Sequence, residues 1–237
     1  MAAVLRTDIG RVRRQNEDAG WFDENKAVFA VADGMGGHLA GEVASGIAIE
    51  AVKRMAETHE EPAISVLRDA VQAAHERILA HAKAQPGCAG MGTTLSMMWK
   101  GYRYVYIAHV GDSRIYRFRG ERLEQITEDH SLVEELVRAR LITREEARTH
   151  PRRNIITRAL GTQGDNKPDL LAADVQPGDL WLLCTDGLHG MISDEKIAGI
   201  LGSGKALEAM ADNLMRAALD AGGRDNVTLV LWREEEE

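Results

Sequence analysis

The sequence predicts a mixed α/β domain in which short apolar strands and amphipathic helices pack about a common core. The chain has 237 residues, enough for one domain or at most two small ones. Hydrophobic residues make up 44% and charged residues 28%, a balance that favours a packed fold over a disordered chain. Short runs of β-forming residues alternate with longer runs that carry apolar residues at helical spacing.

The first half of the chain contains two predicted helices between groups of predicted strands. AVFAVA, at 27–32, is short and apolar and predicts a buried strand. Apolar residues at helical spacing predict helices around 47–55 and over about 64–83. Three β-type runs over 93–119 predict an antiparallel meander, with Gly111-Asp112 as an ordinary hairpin turn.

The second half opens with a segment rich in arginine. Ser131 with Glu134, and Thr143 with Glu146, have the spacing of capping boxes and predict two short helices. The remaining predicted elements are a strand at Leu180–Cys184, a helix capped by Ser193, a helix over Ala206–Ala221 and a last strand, NVTLVLW.

Charge and hydropathy exclude several classes of function. Lys and Arg total 29 against 37 Asp and Glu, giving a net charge of −8, which argues against binding to nucleic acid. No apolar run approaches the roughly 20 residues of a membrane helix, and Met1–Thr7 lacks the apolar stretch of a secretion signal. We therefore expect a cytoplasmic protein without membrane insertion. Cys88 and Cys184 form no metal-binding pair and are expected to be buried thiols.

Aspartate stands beside glycine at the end of three predicted strands, as Asp33-Gly34, Gly111-Asp112 and Asp186-Gly187. Asp-Gly is common in hairpins, but no second strand directly follows Asp33 or Asp186. These two residues would meet at one edge of the core if their strands are neighbours. Asp225, just before the last strand, would reach the same edge if that strand runs antiparallel.

Several carboxylates gathered in partial burial raise one another's pKa unless a cation neutralises them. Oxygen ligands without thiolates favour Mg2+ or Mn2+ over Zn2+. Near the N-terminus, Asn16-Glu17-Asp18 adds acids, and Arg11, Arg13 and Arg14 add cations, although a charged surface turn is an alternative interpretation.

In this order, the motifs resemble the metal-dependent Ser/Thr protein phosphatases of type 2C, particularly the compact bacterial members. The resemblance spans nearly the whole chain, and the joint order and spacing of the motifs are far more specific than any one motif. The matching stretches are TDIGRVRRQNED (7–18), VADGMGGH (31–38), MGTT (91–94), HVGDSRIYR (109–117), DH (129–130), RNIITRALG (153–161), CTDGL (184–188) and GGRDNVT (222–228).

The resemblance implies an α/β (α+β) sandwich, with two central antiparallel β-sheets flanked by helix pairs. It implies one phosphatase domain over residues 1–237, with a small helical flap at about 134–160 beside the cleft. Arginines of the flap, including Arg152 and Arg153, would touch acidic or phosphorylated partner surfaces, although a solvated face is the alternative.

Family residues carry over to matching positions of this chain. The resemblance implies that Asp33 bridges two Mn2+ or Mg2+ ions and that the carbonyl of Gly34 binds one of them. Asp186 and Asp225 would complete the direct ligands, and Asp18, alone or with Glu17, would act through bound water.

A third ion would be held through Asp112 and Asp186. We expect it to bind weakly, because Gly190 stands where some relatives add an acid. Arg13 would bind the substrate phosphoryl group. A water shared by the two ions would attack phosphorus in line, with no protein nucleophile. Met35 stands where many eukaryotic relatives carry a histidine, so the proton donor to the leaving group is unassigned.

The predicted function is therefore hydrolysis of phosphoserine and phosphothreonine on proteins, in opposition to a bacterial Ser/Thr kinase. One alternative is a pseudoenzyme that keeps the fold as a binding module, but the complete acid set with Arg13 disfavours it. Another is a nucleotide or small-phosphate hydrolase of a different fold, which the absence of a G-x-x-x-x-G-K-[ST] loop disfavours.

Overall fold

The computed structural model describes residues 2–36 and 40–235, so Gly37 and His38 of the VADGMGGH motif lie outside the described residues. The strands are β1 (Ala2–Asp8), β2 (Asp18–Asp23), β3 (Val28–Met35), β4 (Gly92–Thr93), β5 (Leu95–Lys100), β6 (Tyr104–Val110), β7 (Arg114–Arg119), β8 (Arg122–Gln125), β9 (Asp169–Asp174), β10 (Leu180–Cys184) and β11 (Val227–Arg233). The α-helices are α1 (Ala40–Thr58), α2 (Ile64–Ala84), α3 (Leu132–Arg138), α4 (Arg144–Thr149), α5 (Asp186–His189), α6 (Asp194–Leu201) and α7 (Leu207–Asp220). A short 3-10 helix covers Pro86–Cys88.

The strands form two sheets in which the paired strands run antiparallel. One sheet has the order β1-β11-β10-β7-β8. The other has the order β2-β3-β5-β6-β9, and the short β4 also pairs with β3.

Apolar residues from both sheets fill the layer between them. Because side chains alternate along a strand, Phe29 and Val31 of β3 point into this layer, as do Trp181 of β10 and Trp232 of β11. The Trp232 ring stacks between two aromatic rings, with its centroid 5.1 Å from that of Phe29 and 6.3 Å from that of Trp181. The two sheets are thus joined through a continuous buried core.

The opposite faces of the sheets are covered by helices. Val28, Ala30 and Ala32 of β3 pack against α1 and α2. On the other sheet, Leu182 and Leu229 pack with apolar residues of α6 and α7. The resulting order of layers is helix, sheet, sheet, helix, and it confirms the predicted fold class.

The predicted meander over 93–119 is wrong in its last step. β5 and β6 pair with each other, but β7 pairs with β10 and β8 in the opposite sheet. The chain therefore crosses between sheets at Gly111-Asp112 instead of turning back as a hairpin. Gly111 has a φ of 109°, a left-handed value that suits glycine. The crossing brings Asp112 to the sandwich edge where β10 ends.

The arginine-rich segment contains α3 and α4. The Ser131 side chain accepts a hydrogen bond from the Glu134 amide, and Thr143 with Glu146 forms a full capping box. Both predicted helix starts are therefore observed. The assignment of residues 1–237 to one domain with a flap at about 134–160 stays a prediction.

Candidate metal centre

The acidic residues lie at one edge of the sandwich, where strands from both sheets end. Asp33 lies near the end of β3 and is paired across the ladder with Asp18, the first residue of β2. Asp186 follows β10 as the first residue of α5, and Asp225 precedes β11. Since β10 and β11 are antiparallel, the end of one lies beside the start of the other. β3 and β10 belong to opposite sheets, so Asp33 and Asp186 meet across the sandwich rather than along one sheet.

The backbone of Asp33 is held by a pair of threonines that leave its carboxyl group free for other partners. The Asp33 amide donates to Oγ1 of Thr94 at 2.9 Å. The Asp33 carbonyl accepts from the Thr94 amide and from the Thr93 hydroxyl, each at 2.9 Å. The MGTT motif thus positions the central aspartate.

Asp18 is linked to the opposite sheet through a hydroxyl group. Oγ1 of Thr185 donates to Oδ2 of Asp18 at 2.8 Å, and the Thr228 amide donates to the same hydroxyl oxygen at 3.0 Å. Thr185 directly precedes Asp186, so this bond ties β2 to the start of α5.

Gly34 and Gly187 permit the close backbone approaches that the centre requires. A Cβ at Gly34 would collide with the carbonyl oxygens of Gly41 and Glu17. A Cβ at Gly187 would collide with the carbonyl oxygen of Asn226. Neither glycine has a positive φ, so the requirement is for space rather than for an unusual conformation.

Burial and mutual repulsion raise the pKa of every carboxyl group in the interior of the cluster. Removal from water, followed by the charges of Asp18, Asp186, Asp112 and Asp225, raises the pKa of Asp33 well above its usual value. Burial raises the pKa of Asp18 to about 7 and that of Asp186 to about 6. The pKa of Asp112 is also raised well above normal, first by burial and then by Asp186. Full ionisation of the cluster is therefore unfavourable unless a cation neutralises it.

Three carboxylate oxygens of the cluster lack partners. Oδ1 of Asp18, Oδ1 of Asp112 and Oδ1 of Asp186 are buried and accept no hydrogen bond within the part of the chain that the structure describes. A buried acceptor without a donor is costly, and hard divalent cations bind such oxygens. The donor set, carboxylates without thiolates, fits Mg2+ or Mn2+.

The side chains do not form a finished coordination sphere. Across residues 2–36 and 40–235, no group of three or more His, Cys, Asp or Glu side chains is arranged closely enough to hold an ion. The nearness of the Asp33 carboxyl group offsets part of the effect of burial on the pKa of Asp186. Ion binding would displace any proton that the raised pKa values keep in the cluster.

Arg13 reaches the edge of the centre from the loop between β1 and β2. Its Nη2 donates to Oδ2 of Asp225 at 2.7 Å. This contact raises the pKa of the guanidinium group further, so Arg13 is cationic at any physiological pH. The sequence predicted Arg13 and all of the acids, and the structure brings them together.

Asn226 and His189 are positioning residues that the sequence analysis missed. Oδ1 of Asn226 accepts from the Glu17 amide, and its Nδ2 donates to the carbonyls of Ile9 and Gln15 at 2.9 and 2.8 Å. Nε2 of His189 lies 3.0 Å from the carbonyl oxygen of Asp112. The Asn beside Asp225 in the GGRDNVT motif was a signal, but its partners lie over 200 positions away.

The comparisons with known proteins decide the family. A profile of the protein phosphatase 2C family matches residues 12–228. The chain belongs to the protein phosphatase 2C family. The phosphatase 2C chain is 41% identical over 239 residues to the Listeria welshimeri serine/threonine phosphatase stp, covering 98% of this chain and 95% of that protein.

Solved structures agree with this phosphatase 2C assignment. The Mycobacterium tuberculosis serine/threonine phosphatase PstP/Ppp has a TM-score of 0.93, with 39% identity and 99% coverage of both chains. The catalytic domain of PstP in complex with two manganese ions has a TM-score of 0.90 and 37% identity, covering 99% of this chain and 98% of that chain. The predicted family is confirmed, and these relatives support the predicted class of metal-dependent Ser/Thr protein phosphatase with Mn2+ or Mg2+ as cofactor.

The helices bear on one further expectation. None of them, in the part of the chain that the structure describes, combines the length and the apolar character needed to cross a bilayer.

Proposed function

We propose that this protein removes phosphate from phosphoserine and phosphothreonine of protein substrates with the help of two Mn2+ or Mg2+ ions. The observation that carries the proposal is the buried acidic cluster, in which three carboxylate oxygens have no hydrogen-bond partner among residues 2–36 and 40–235. The serine/threonine phosphatases stp and PstP, as its relatives, support the same substrate class. When bound, the ions would polarise the phosphoryl group and lower the pKa of a water molecule, so that the water loses a proton and can attack phosphorus.

Each acidic residue has a distinct role in this proposal. Asp33, at the centre of the cluster, would bridge the two ions, and the Gly34 carbonyl would bind one of them. Asp186 and Asp225 would complete the direct ligands. Asp18 keeps Oδ1 free while Thr185 occupies Oδ2, which suits a partner that acts through water.

Asp112 would contribute to a weaker third ion. Its Oδ1 is buried without a partner, and Asp186 is the strongest nearby charge acting on it. Gly190 supplies no carboxylate of its own, so two aspartates would share the ion with solvent.

Arg13 would bind the phosphoryl group while remaining paired with Asp225. A guanidinium has five N–H donors, and only the contact through Nη2 is made to Asp225. The side chain is 49% exposed, so its remaining donors are accessible to two phosphate oxygens. The planar fork makes Arg13→Lys a non-conservative change.

The partners in this proposal are phosphorylated proteins, among them a Ser/Thr kinase and its substrates. The flap at about 134–160, with Arg152 and Arg153, would contact such proteins beside the centre. A cytoplasmic location completes the proposal, and cell fractionation with antibody detection would test it.

The test measures phosphate release from a phosphothreonine peptide and from an aryl phosphate by the purified protein. We expect activity with Mn2+ or Mg2+ and none in excess chelator, with recovery when the metal is restored. Asp186→Asn keeps the shape of the side chain but removes its charge, so we expect at least about a 100-fold loss in kcat with an unchanged circular dichroism spectrum. Full activity in chelator would overturn the metal mechanism, and wild-type rates in the variant would remove Asp186 from the ligand set.

A further inference from the structure

The rim beside Asp225 is built from two loops that are fixed to each other. The loop between β1 and β2 and the loop between α7 and β11 are joined by a bond from the Arg11 amide to the Gly223 carbonyl at 2.6 Å. Asn226 adds two further bonds to the first loop, through the carbonyls of Ile9 and Gln15. The two loops therefore form one rigid border of the candidate metal centre.

Three arginines on this border are exposed and unpaired. Arg11, Arg14 and Arg224 are exposed, and within the described residues none of them forms an ion pair or a side-chain hydrogen bond. Arg13, which lies between the first two, is the member of the group that is paired, with Asp225. We name Arg11, Arg14 and Arg224 the basic rim.

The Arg11 side chain of the basic rim is held at its stem rather than at its charge. The Cγ atom of Arg11 packs against Gly223, where a Cβ would come within 2.8 Å of it. The Arg224 side chain lies beside Gly222, whose Cβ position is 3.8 Å from its Nε. Fixed stems with free guanidinium groups lose little conformational entropy when they bind an anion.

Two of the acids near the basic rim in sequence, Asp8 and Asp225, accept hydrogen bonds from other groups. Oδ1 of Asp8 accepts from the Gly10 amide at 2.8 Å. Asp225 accepts from Arg13 through Oδ2 and from the Asn226 amide through Oδ1. The basic rim therefore presents three exposed guanidinium groups that no carboxylate of the described residues pairs with, on a chain with a net charge of −8.

The rim is also continuous with the cleft. Gly222 lies next to Met191, whose Cε is 3.5 Å from the Cβ position of the glycine. Met191 lines a cavity of about 560 Å³ that also reaches Asp112 and Asp186. A peptide whose phosphorylated residue enters the centre can place its neighbouring residues along this border, because an extended chain advances about 3.4 Å per residue.

From these observations we propose that the basic rim selects phosphoproteins with anionic side chains beside the phosphorylated residue. The anion is a carboxylate or a second phosphate, because a guanidinium binds both through paired hydrogen bonds. This inference rests on the proposed phosphatase function and specifies its substrate class. The inference predicts that substrates with acidic flanking residues associate with the protein faster, because the basic rim attracts them electrostatically.

The test compares phosphothreonine peptides of one length that differ only in the flanking residues. The flanks are glutamate, alanine, lysine or a second phosphothreonine, and kcat/KM is measured at low and high salt. We expect the wild type to favour the glutamate-flanked peptide over the lysine-flanked one by roughly tenfold at low salt, and much less at about 1 M salt, where the Debye length is about 3 Å. A higher rate for the doubly phosphorylated peptide than for the glutamate-flanked peptide would identify phosphate as the preferred anion.

Charge-reversal variants of the basic rim test whether it causes the preference for glutamate-flanked peptides. Arg11→Glu, Arg14→Glu and Arg224→Glu should each lower the ratio of the two kcat/KM values by about threefold or more. Arg122→Glu is the matched control, because Arg122 is also exposed and, among the described residues, has no ion-pair partner, but lies on β8 at the far edge of its sheet. Arg11→Gln, Arg14→Gln and Arg224→Gln, which remove charge without adding repulsion, should give smaller changes in the same direction.

The outcomes separate the two proposals. Normal hydrolysis of an aryl phosphate without any flank preference, or a preference that the rim variants leave intact, would overturn the basic rim alone. Failure to hydrolyse both the aryl phosphate and every peptide in the presence of metal would overturn the phosphatase function and the rim with it.

Discussion

Nη2 of Arg13 and Oδ2 of Asp225 lie 2.7 Å apart, so the cation proposed to bind phosphate is paired with a residue proposed to bind metal. The side chains are 49% and 32% exposed, which leaves the pair accessible to both substrate and ion. Because Arg13 already neutralises part of the charge on Asp225, it should oppose a metal cation at that carboxylate while favouring an anionic substrate.

The substitution Arg13→Ala should therefore move two affinities in opposite directions. We expect KM for a phosphothreonine peptide to rise by about tenfold, because a charged hydrogen bond is worth roughly 1.5–3 kcal/mol. The Kd for Mn2+, measured by calorimetry without substrate, should fall by a few-fold, since a positive charge has been removed from beside Asp225. Unchanged KM, kcat and Kd would exclude Arg13 from the centre, and Arg122→Ala serves as the control for a surface arginine.

The metal-free protein should lose stability as the pH rises through the titration of Asp186. Its pKa is raised from 3.8 to about 6 in the folded state, so between these values the folded state keeps a proton that the unfolded state has released. The contribution of this group to the free energy of unfolding therefore falls as the pH rises through this range.

Four histidines act in the opposite sense, and their contribution must be cancelled. Burial lowers the pKa of His109 to about 4 and that of His189 to about 3, and it also lowers the pKa of His75 and of His130, so all four add stability as the pH rises toward 6.5. The difference in unfolding free energy between Asp186→Asn and the wild type, both without metal, removes their contribution. We expect this difference to grow from pH 4 to pH 6 and then level off. A difference independent of pH would show that Asp186 ionises normally.

Gly34→Ala should destabilise the protein by about 2–4 kcal/mol, because the new Cβ would overlap two carbonyl oxygens that cannot move freely. Denaturant unfolding of the metal-free protein measures this loss directly. Gly46→Ala is the control. Gly46 is exposed within α1 and has no atom within 4 Å of its Cβ position. Alanine there should raise the free energy of unfolding by about 0.5–1 kcal/mol. Equal effects at the two positions would contradict the steric account of Gly34.

Asn226→Ala should disturb the loop that carries Arg13 while leaving every proposed metal ligand in place. The change leaves one amide and two carbonyls without partners, which should cost about 2–3 kcal/mol of unfolding free energy. We expect a larger increase in KM than decrease in kcat, and faster hydrogen exchange in residues 9–17. Loss of Mn2+ affinity with no change in KM would instead make Asn226 a support of the ligands.

The sequence was most informative where a strand is buried on both faces or a helix has one apolar stripe. The strand at Leu180–Cys184 and the helix over Ala206–Ala221 have such patterns, and they appear as β10 and α7. It was least informative about β1 and β2, whose half-exposed residues lack a clear period. Local pattern also cannot show which sheet a strand will join. For this reason the sequence predicts a hairpin at Gly111-Asp112, where the chain crosses between the sheets.

Among the site residues, the sequence identified those with charge and missed those that only position them. Acids next to glycine stand out in a chain, and the family resemblance supplied their order. Asn226 and Thr185 hold the site through hydrogen bonds that join distant segments. Thr185 and Asp18 are 167 positions apart in the sequence, and Asn226 and Ile9 are 217 positions apart. Such pairings follow from tertiary structure alone.

The acids of the cluster come from both sheets, with Asp18 and Asp33 on one and Asp186 and Asp225 at the ends of strands in the other. Divalent ions bound between these acids would connect the two sheets, so metal binding would stabilise the folded state. A cell short of manganese or magnesium would then hold fewer intact copies of the protein, and its degradation rate would report on the metal supply.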